Sequence, residues 1–331
     1  MTPYLTAMPR SLAPVLLLAV PLPLSFAACH RAPAPPPPPT AAPGATRAPV
    51  AVSALRAVPV NNTVLTFRTA GTSGTTVVFV HDSHGDLDDW GAQIGAFAAT
   101  HRVLVYSRRY HPPNPLRDDG QVYSPELHAE DLAALIQALG LAPAHVVGAG
   151  YGAYVALALA REHPDVVRTL VLGEPPVVPF LLRSPGGDTL RRALLADALD
   201  PARAAFERRD SVTGVRLFVD GWSGSRGRFD NLPAPARARI LAHAFELRRE
   251  LLADRQQYLP ALDCRALGRL AMPVLLLQGE RSPRMYHVIT GELARCLLSD
   301  TVITVPNAEH AMHATSPGYY NATVLRYLAA H

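Results

Sequence analysis

Three segments far apart in the chain hold residue types that could break a bond: HDSHGD at residues 81–86, VVGAGYGAY at 146–154 and PNAEHAMH at 306–313. His310 in the last can exchange a proton near neutral pH, the task of a general base toward a nucleophile or a water, while His313 is expected to stand behind it or to be exposed. The middle segment has the form of a sharp turn that presents a nucleophile, with the small residues Gly148 and Gly152 on either side. Its centre is Gly150, which has no side chain to attack with. A turn that needs positive φ suits glycine, so the backbone gains where the chemistry loses. By residue type alone, His81, Asp82, His84, Asp86, Asp88 and Asp89 could be read as a metal cluster. Residues at a strand end point alternately to opposite faces and the later aspartates suit a helix N-terminus, so no metal is expected.

Something must bring these segments together. TVLTFRTAG and TTVVFVHD read as strands, the second so continuously apolar and β-branched that it suits a strand covered on both faces. LDDWGAQIGAFAATH then reads as a helix and RVLVYSRRY as a strand. SPELHAEDLAALIQALG reads as a helix capped by Ser124 with Glu126 in its first turn, AHVVGAG as a strand, YGAYVALALAREHP as a helix and VRTLVLGEPP as a strand. Such alternation implies a mostly parallel sheet with helices on both faces. Residues 184–262 lose the rhythm, being arginine-rich and helical, and it resumes with MPVLLLQGE, MYHVITGELARCL, DTVITVPNAEH and SPGYYNATVLRYLAA. The expected organisation is a core of residues 52–183 and 263–331 interrupted by a helical cap at 184–262. The cap would close over the C-terminal strand ends, where open α/β sheets bind ligands.

The order of elements, the insertion point and the three segments together resemble the α/β-hydrolase fold family along residues 52–331. The resemblance implies an α/β fold with a mostly parallel eight-stranded sheet, helices on both faces and a helical cap between the sixth and seventh strands. HDSHGD is similar to the family's oxyanion loop, GAGYG to its Gly-x-Ser-x-Gly elbow and PNAEHAMH to its catalytic-histidine loop. On that likeness His310 is the general base and Gly150 holds the nucleophile's backbone site without its side chain. The N–H groups of Ser83 and Tyr151 would face the oxyanion. The family's orienting acid follows the seventh strand, where Ser282 and Glu280 stand in GERSP, or the sixth, where LGEPP supplies Glu174. Glu174 is the preferred acid and Glu280 the runner-up. Asp82 stands where the family has a glycine, and an aspartate beside a forming oxyanion would oppose it. His81, Asp82 and Arg109 of SRRYH would then line the substrate pocket.

Composition adds bounds. A chain of 331 residues, 49% apolar, buries one sizeable core. The excess of 31 basic over 27 acidic residues is small, and no arginine run interleaved with aromatics suggests nucleic acid. At the N-terminus, a short basic region, an apolar run broken by prolines and AAC resemble a bacterial lipoprotein signal over residues 1–29. Cys29 would become the lipidated first residue, and an ordinary secretory signal is the alternative. Either expectation puts the protein in the cell envelope, by a lipid anchor or in the periplasm. The proline-rich stretch at 30–51 would be an extended spacer. In an export compartment Cys264 and Cys296 would form a disulfide or remain two buried thiols.

Two functions compete on these grounds. One is a hydrolase acting on a small ester, amide or ketone-type substrate through His310 and a water in the space that Gly150 leaves. The other is a non-catalytic relative that holds an apolar ligand or a protein under its cap. No cofactor is expected in either. Restoring serine at position 150 is expected to restore labelling by a serine-reactive fluorophosphonate.

Overall fold

A computed structural model describes residues 51–298 and 301–331. The expected signal segment, the lipidation of Cys29 and the spacer lie outside them. Eight strands form one sheet: β1 (Arg56–Val60), β2 (Thr63–Ala70), β3 (Thr76–Val80), β4 (Arg102–Tyr106), β5 (Ala144–Ala149), β6 (Val167–Gly173), β7 (Val274–Gly279) and β8 (Val302–Val305). Their order across the sheet is β1-β2-β4-β3-β5-β6-β7-β8, and β2 alone runs against the rest. The central strands β3 and β5 are buried along their whole length, as suits largely apolar strands covered on both sides, with His145 of β5 bonded to the Thr169 hydroxyl at 2.8 Å.

Helices α1 (Gly91–Phe97), α2 (Pro125–Ala138) and α3 (Tyr151–Glu162) alternate with the strands. Ser124 caps α2 by accepting from the Leu127 N–H at 3.1 Å. Between β6 and β7 the chain forms helices only: α4 (Gly187–Leu194), α5 (Asp200–Glu207), α6 (Ser211–Ser223), α7 (Ala234–Ala242), α8 (Ala244–Leu252), α9 (Arg255–Tyr258) and α10 (Cys264–Leu267), with a π turn at Leu195–Leu199 joining α4 to α5. The chain ends with α11 (Arg284–Leu297), α12 (Met312–Thr315) and α13 (Pro317–Ala329) around β8.

The inserted helices are fastened to the loops at the strand ends by charge. Arg239 of α7 reaches Asp86 at 2.9 Å and Asp89 at 2.6 Å, Arg249 of α8 meets Asp118, and Arg228 meets Glu309 at 2.7 Å. Asp86 also caps the short 3-10 helix at Leu87–Trp90, accepting from the Asp88 N–H at 2.8 Å. These bonds engage Asp86 and Asp89, two of the aspartates that by type alone could have been ligands. Cys264 and Cys296 form a disulfide that ties α10 to α11.

Candidate functional site

The turn between β5 and α3 has the shape its glycines suggest. Gly150 sits at φ 52°, ψ −123°, and its N–H donates to the Gly173 carbonyl at 2.8 Å while Ala153 begins the helix by donating back to Gly150 at 3.0 Å. The flanking glycines answer to close approach. A Cβ on Gly152 would overlap the carbonyls of Val80 and His81, and one on Gly148 would overlap the backbone of Gly152 and Ala153. The elbow is therefore built to press α3 against the end of β3. Residue 82 follows directly from there.

The space in front of Gly150 is not empty, and this corrects the expectation of a water there. A Cβ on Gly150 would overlap Oδ1, Cγ and Oδ2 of Asp82. The Asp82 carboxylate, arriving from the β3 loop, stands where a side chain from the elbow would stand. Its Oδ1 accepts from the Tyr151 N–H at 2.6 Å and from its neighbour Ser83 N–H at 2.8 Å. Both donors that the sequence assigns to an oxyanion thus converge, and they converge on a carboxylate oxygen. The other oxygen, Oδ2, lies 3.2 Å from Nε2 of His310. Asp82, expected as a substrate contact, is therefore bonded to His310 and to both backbone N–H groups in front of Gly150.

His310 lies in the loop after β8, and its Nδ1 is 2.6 Å from Oε2 of Glu174. Glu174 leaves β6 with φ 46°, a left-handed conformation that a side-chain-bearing residue adopts only when its surroundings hold it. Here its N–H donates to the Leu277 carbonyl at 3.2 Å, and its Oε1 accepts from the Gly279 N–H at 2.8 Å. Glu280, the runner-up, instead accepts from the Asn307 N–H at 2.7 Å on the surface. Glu174, His310 and Asp82 form one line of polar contacts. The Glu174 end is sealed, while the side chains of His310 and Asp82 keep 23% and 21% of their surface accessible.

Two other expected pocket residues do different work. His81 is buried: its Nε2 accepts from the Arg108 N–H at 2.9 Å, so Nδ1 carries the proton and donates to the Asp82 carbonyl at 2.8 Å. Arg108 adds Nε to the His81 carbonyl and Nη2 to the Asp82 carbonyl, each at 3.2 Å. Together they hold the loop that aims Asp82, so His81 is an anchor rather than a substrate contact. Arg109 is also buried, gripping Asp131 with Nε and Nη2 at 2.7 Å each and Asp119 at 2.7 Å. A guanidinium spent on two carboxylates has little left for a ligand. His313 is buried against Trp90, ring centroids 4.5 Å apart.

Two aromatic side chains complete the site without having announced themselves in the sequence. Tyr286 of α11 stacks on His310 at 4.3 Å and 18°, and Trp222 of α6 stacks on Tyr286 in turn at 6.1 Å. Residues so distant along the chain share no spacing signal; only their aromatic character marks them.

Charge fixes the resting state. Burial works against a charged imidazole at His310, but its bonds to Asp82 and Glu174, and their negative charge, raise it to about 10. Burial likewise pushes Asp82 up, yet the bond to His310 with its positive charge, the charge of His84 and the Tyr151 N–H hold that carboxyl well below the usual range. At neutral pH the pair is a carboxylate facing an imidazolium.

A stability profile follows. His310 is raised on folding, so its contribution is complete below its unfolded pKa of about 6.5 and is lost as pH climbs toward about 10. Asp82 is lowered, so its contribution is complete above about pH 4 and is lost as pH falls. Denaturant unfolding of the wild type and of His310→Gln should differ most between about pH 4 and 6.5. The gap should narrow by on the order of 3 kcal/mol by pH 9.5, and a gap independent of pH would contradict the ion pair.

The family model described as "Alpha/beta hydrolase family" matches residues 77–323. Among curated proteins, the uncharacterized hydrolase YraK of Bacillus subtilis is 31% identical over 121 residues, 37% of this chain and 43% of that protein, so the likeness spans less than half of it. The putative carbamate hydrolase RutD of Variovorax paradoxus is 26% identical over 273 residues, 77% of this chain and 92% of its own. Among solved structures, bromoperoxidase from Bacillus anthracis superposes with a TM-score of 0.65 at 18% identity, covering 83% of this chain and all of that one.

Proposed function

Because the chain belongs to the alpha/beta hydrolase family, we propose that it is a hydrolase whose nucleophile has moved from the elbow to the neighbouring loop, with Asp82 attacking in place of the missing serine. One observation carries the reading: the Asp82 carboxylate occupies the space in front of Gly150 and engages both backbone donors and His310 at once. The inserted helices act as the lid over this site.

The arrangement selects a substrate class. Oδ1 already fills the place between the Ser83 and Tyr151 N–H groups, so the carbonyl oxygen of an ester substrate finds no donors for its developing charge. A carboxylate attacking an ester would also be expelled again in preference to an alkoxide, because the anion of the far stronger acid leaves first. Neither objection applies at a saturated carbon bearing a leaving group. There Oδ2 forms a bond to carbon, the leaving group departs with its electron pair, and an ester on Asp82 results.

The second step uses the same donors for what they are shaped to hold. Once Asp82 is an ester, His310 has lost one of the two negative charges that kept it protonated, and its pKa falls. It passes its Nε2 proton to the leaving group or to solvent. Neutral His310, held through Nδ1 by Glu174, then takes a proton from water as the water attacks Cγ. The negative charge forms on Oδ1, between the two N–H groups. Collapse breaks the bond between Cγ and the ester oxygen, the product alcohol receives the proton from His310, and the carboxyl group left on Asp82, with one oxygen from water, gives its remaining proton to His310, which restores the carboxylate and the imidazolium.

A non-catalytic reading draws on the same bonds, since a carboxylate so well satisfied could be a plug. A substrate panel separates the two. Epoxides and primary haloalkanes should be turned over, with p-nitrophenyl esters left unchanged. Turnover of the esters alone would overturn the nucleophile assignment, and inertness toward every member would favour the plug.

A further inference from the structure

With no lining residue shared with the Glu174–His310–Asp82 site, α10, the end of α11 and the short 3-10 helix at Val178–Arg183 enclose a surface groove of about 790 Å³ beside the disulfide. Four exposed arginines line it: Arg183, Arg265, Arg269 and Arg295. The acids nearby are already committed. Glu292 is buried and shared between Arg183, at 3.5 Å, Arg295 and the Ser184 hydroxyl, while Asp263 caps α10 by accepting from the Arg265 N–H at 3.0 Å. Arg265 and Arg269 have no ion-pair partner among the described residues. Among the described residues the groove thus carries a net positive charge.

One apolar side chain stands out from the groove, and a second lies beside one of its arginines in the sequence. Leu298, which ends α11 in a left-handed conformation and lines the groove, is 81% exposed; Leu182, next to Arg183, is 57% exposed. These are the two most exposed large apolar residues among those described. Water is a poor place for leucines so displayed, and a soluble anion would gain nothing from them. Arginines that reach phosphate while neighbouring leucines enter the acyl boundary satisfy both features together.

We propose that this face docks on an anionic lipid bilayer, with Arg265 and Arg269 at the headgroups and Leu298 inserted. The proposal is independent of the reaction assigned to Asp82. It is tested with the full chain, by partitioning onto vesicles of phosphatidylcholine alone and of phosphatidylcholine with phosphatidylglycerol. Reading the ratio of the two cancels whatever binding the N-terminal segment contributes to both. The wild type should favour the anionic vesicles, and Arg265→Gln with Arg269→Gln should lower that preference by about 30-fold, since each arginine at a charged surface is worth about a factor of five. Arg265→Glu with Arg269→Glu should lower it further, and Leu298→Asp should weaken binding to both vesicle types. An unchanged preference in both arginine pairs would overturn the proposal. So would loss of the preference to inorganic phosphate at matched ionic strength with no effect of Leu298→Asp, which would mark a site for a free anion.

Discussion

His310→Gln should stall the enzyme with its substrate covalently bound to Asp82. The first step needs only a carboxylate at the right place, and glutamine at 310 leaves that carboxylate between the Ser83 and Tyr151 N–H groups. The second step needs a base for water, which glutamine is not. An alkyl ester should accumulate, visible as added mass on the peptide containing residue 82, while steady turnover falls by about 10³-fold or more, the contribution usual for general base catalysis. Asp82→Ala should be the more damaging change, costing on the order of 10⁶-fold, comparable with deleting a catalytic nucleophile elsewhere. It should also accumulate nothing. If His310→Gln formed no adduct while Asp82→Ala retained activity, Asp82 would be a bystander.

The second large effect concerns the elbow itself. Gly150→Ser alone should fail to make a serine hydrolase, contrary to what the sequence by itself suggests, because the new Cβ would overlap a carboxylate pinned by two N–H groups and an imidazolium. The outcome should be a protein less stable by about 1–3 kcal/mol and unreactive toward fluorophosphonate. Asp82→Gly combined with Gly150→Ser should behave differently. It vacates the two donors, removes one of the two charges that keep His310 protonated, and leaves a neutral imidazole beside a hydroxyl. Labelling should appear on the new hydroxyl at position 150, and p-nitrophenyl ester hydrolysis with it. Labelling of the single variant at the same rate would show that Asp82 does not fill the site.

Much of this was legible in residue order. The alternation of strand and helix, the break at the insertion and the capping of α2 by Ser124 follow from local pattern, because each depends on neighbours within a few positions, while the choice of His310 rests on the likeness of its loop to the family's. Glu174 was legible as the preferred acid, and its left-handed backbone is what turns the carboxylate toward His310. Asp82 was noticed, but as an electrostatic fault. Two departures from the family pattern seen separately, glycine at 150 and aspartate at 82, meet at one place, and only the packing of β3 against the α3 turn brings them together. Arg109 and His81 misled for the opposite reason. Their types suit ligand binding, but Asp131, some 22 residues on, and the Arg108 N–H claim them first. Tyr286 and Trp222 meet through tertiary contact alone.

One isotope measurement addresses the transfer of the nucleophile most directly. A single turnover in ¹⁸O-labelled water, with enzyme in excess over a substrate drawn from the epoxides or primary haloalkanes, should place the heavy oxygen in the side chain of Asp82 and leave the product alcohol unlabelled. Heavy oxygen in the alcohol with none in Asp82 would mean that water attacks the substrate directly, and the carboxylate in front of Gly150 would then have no covalent part in the reaction.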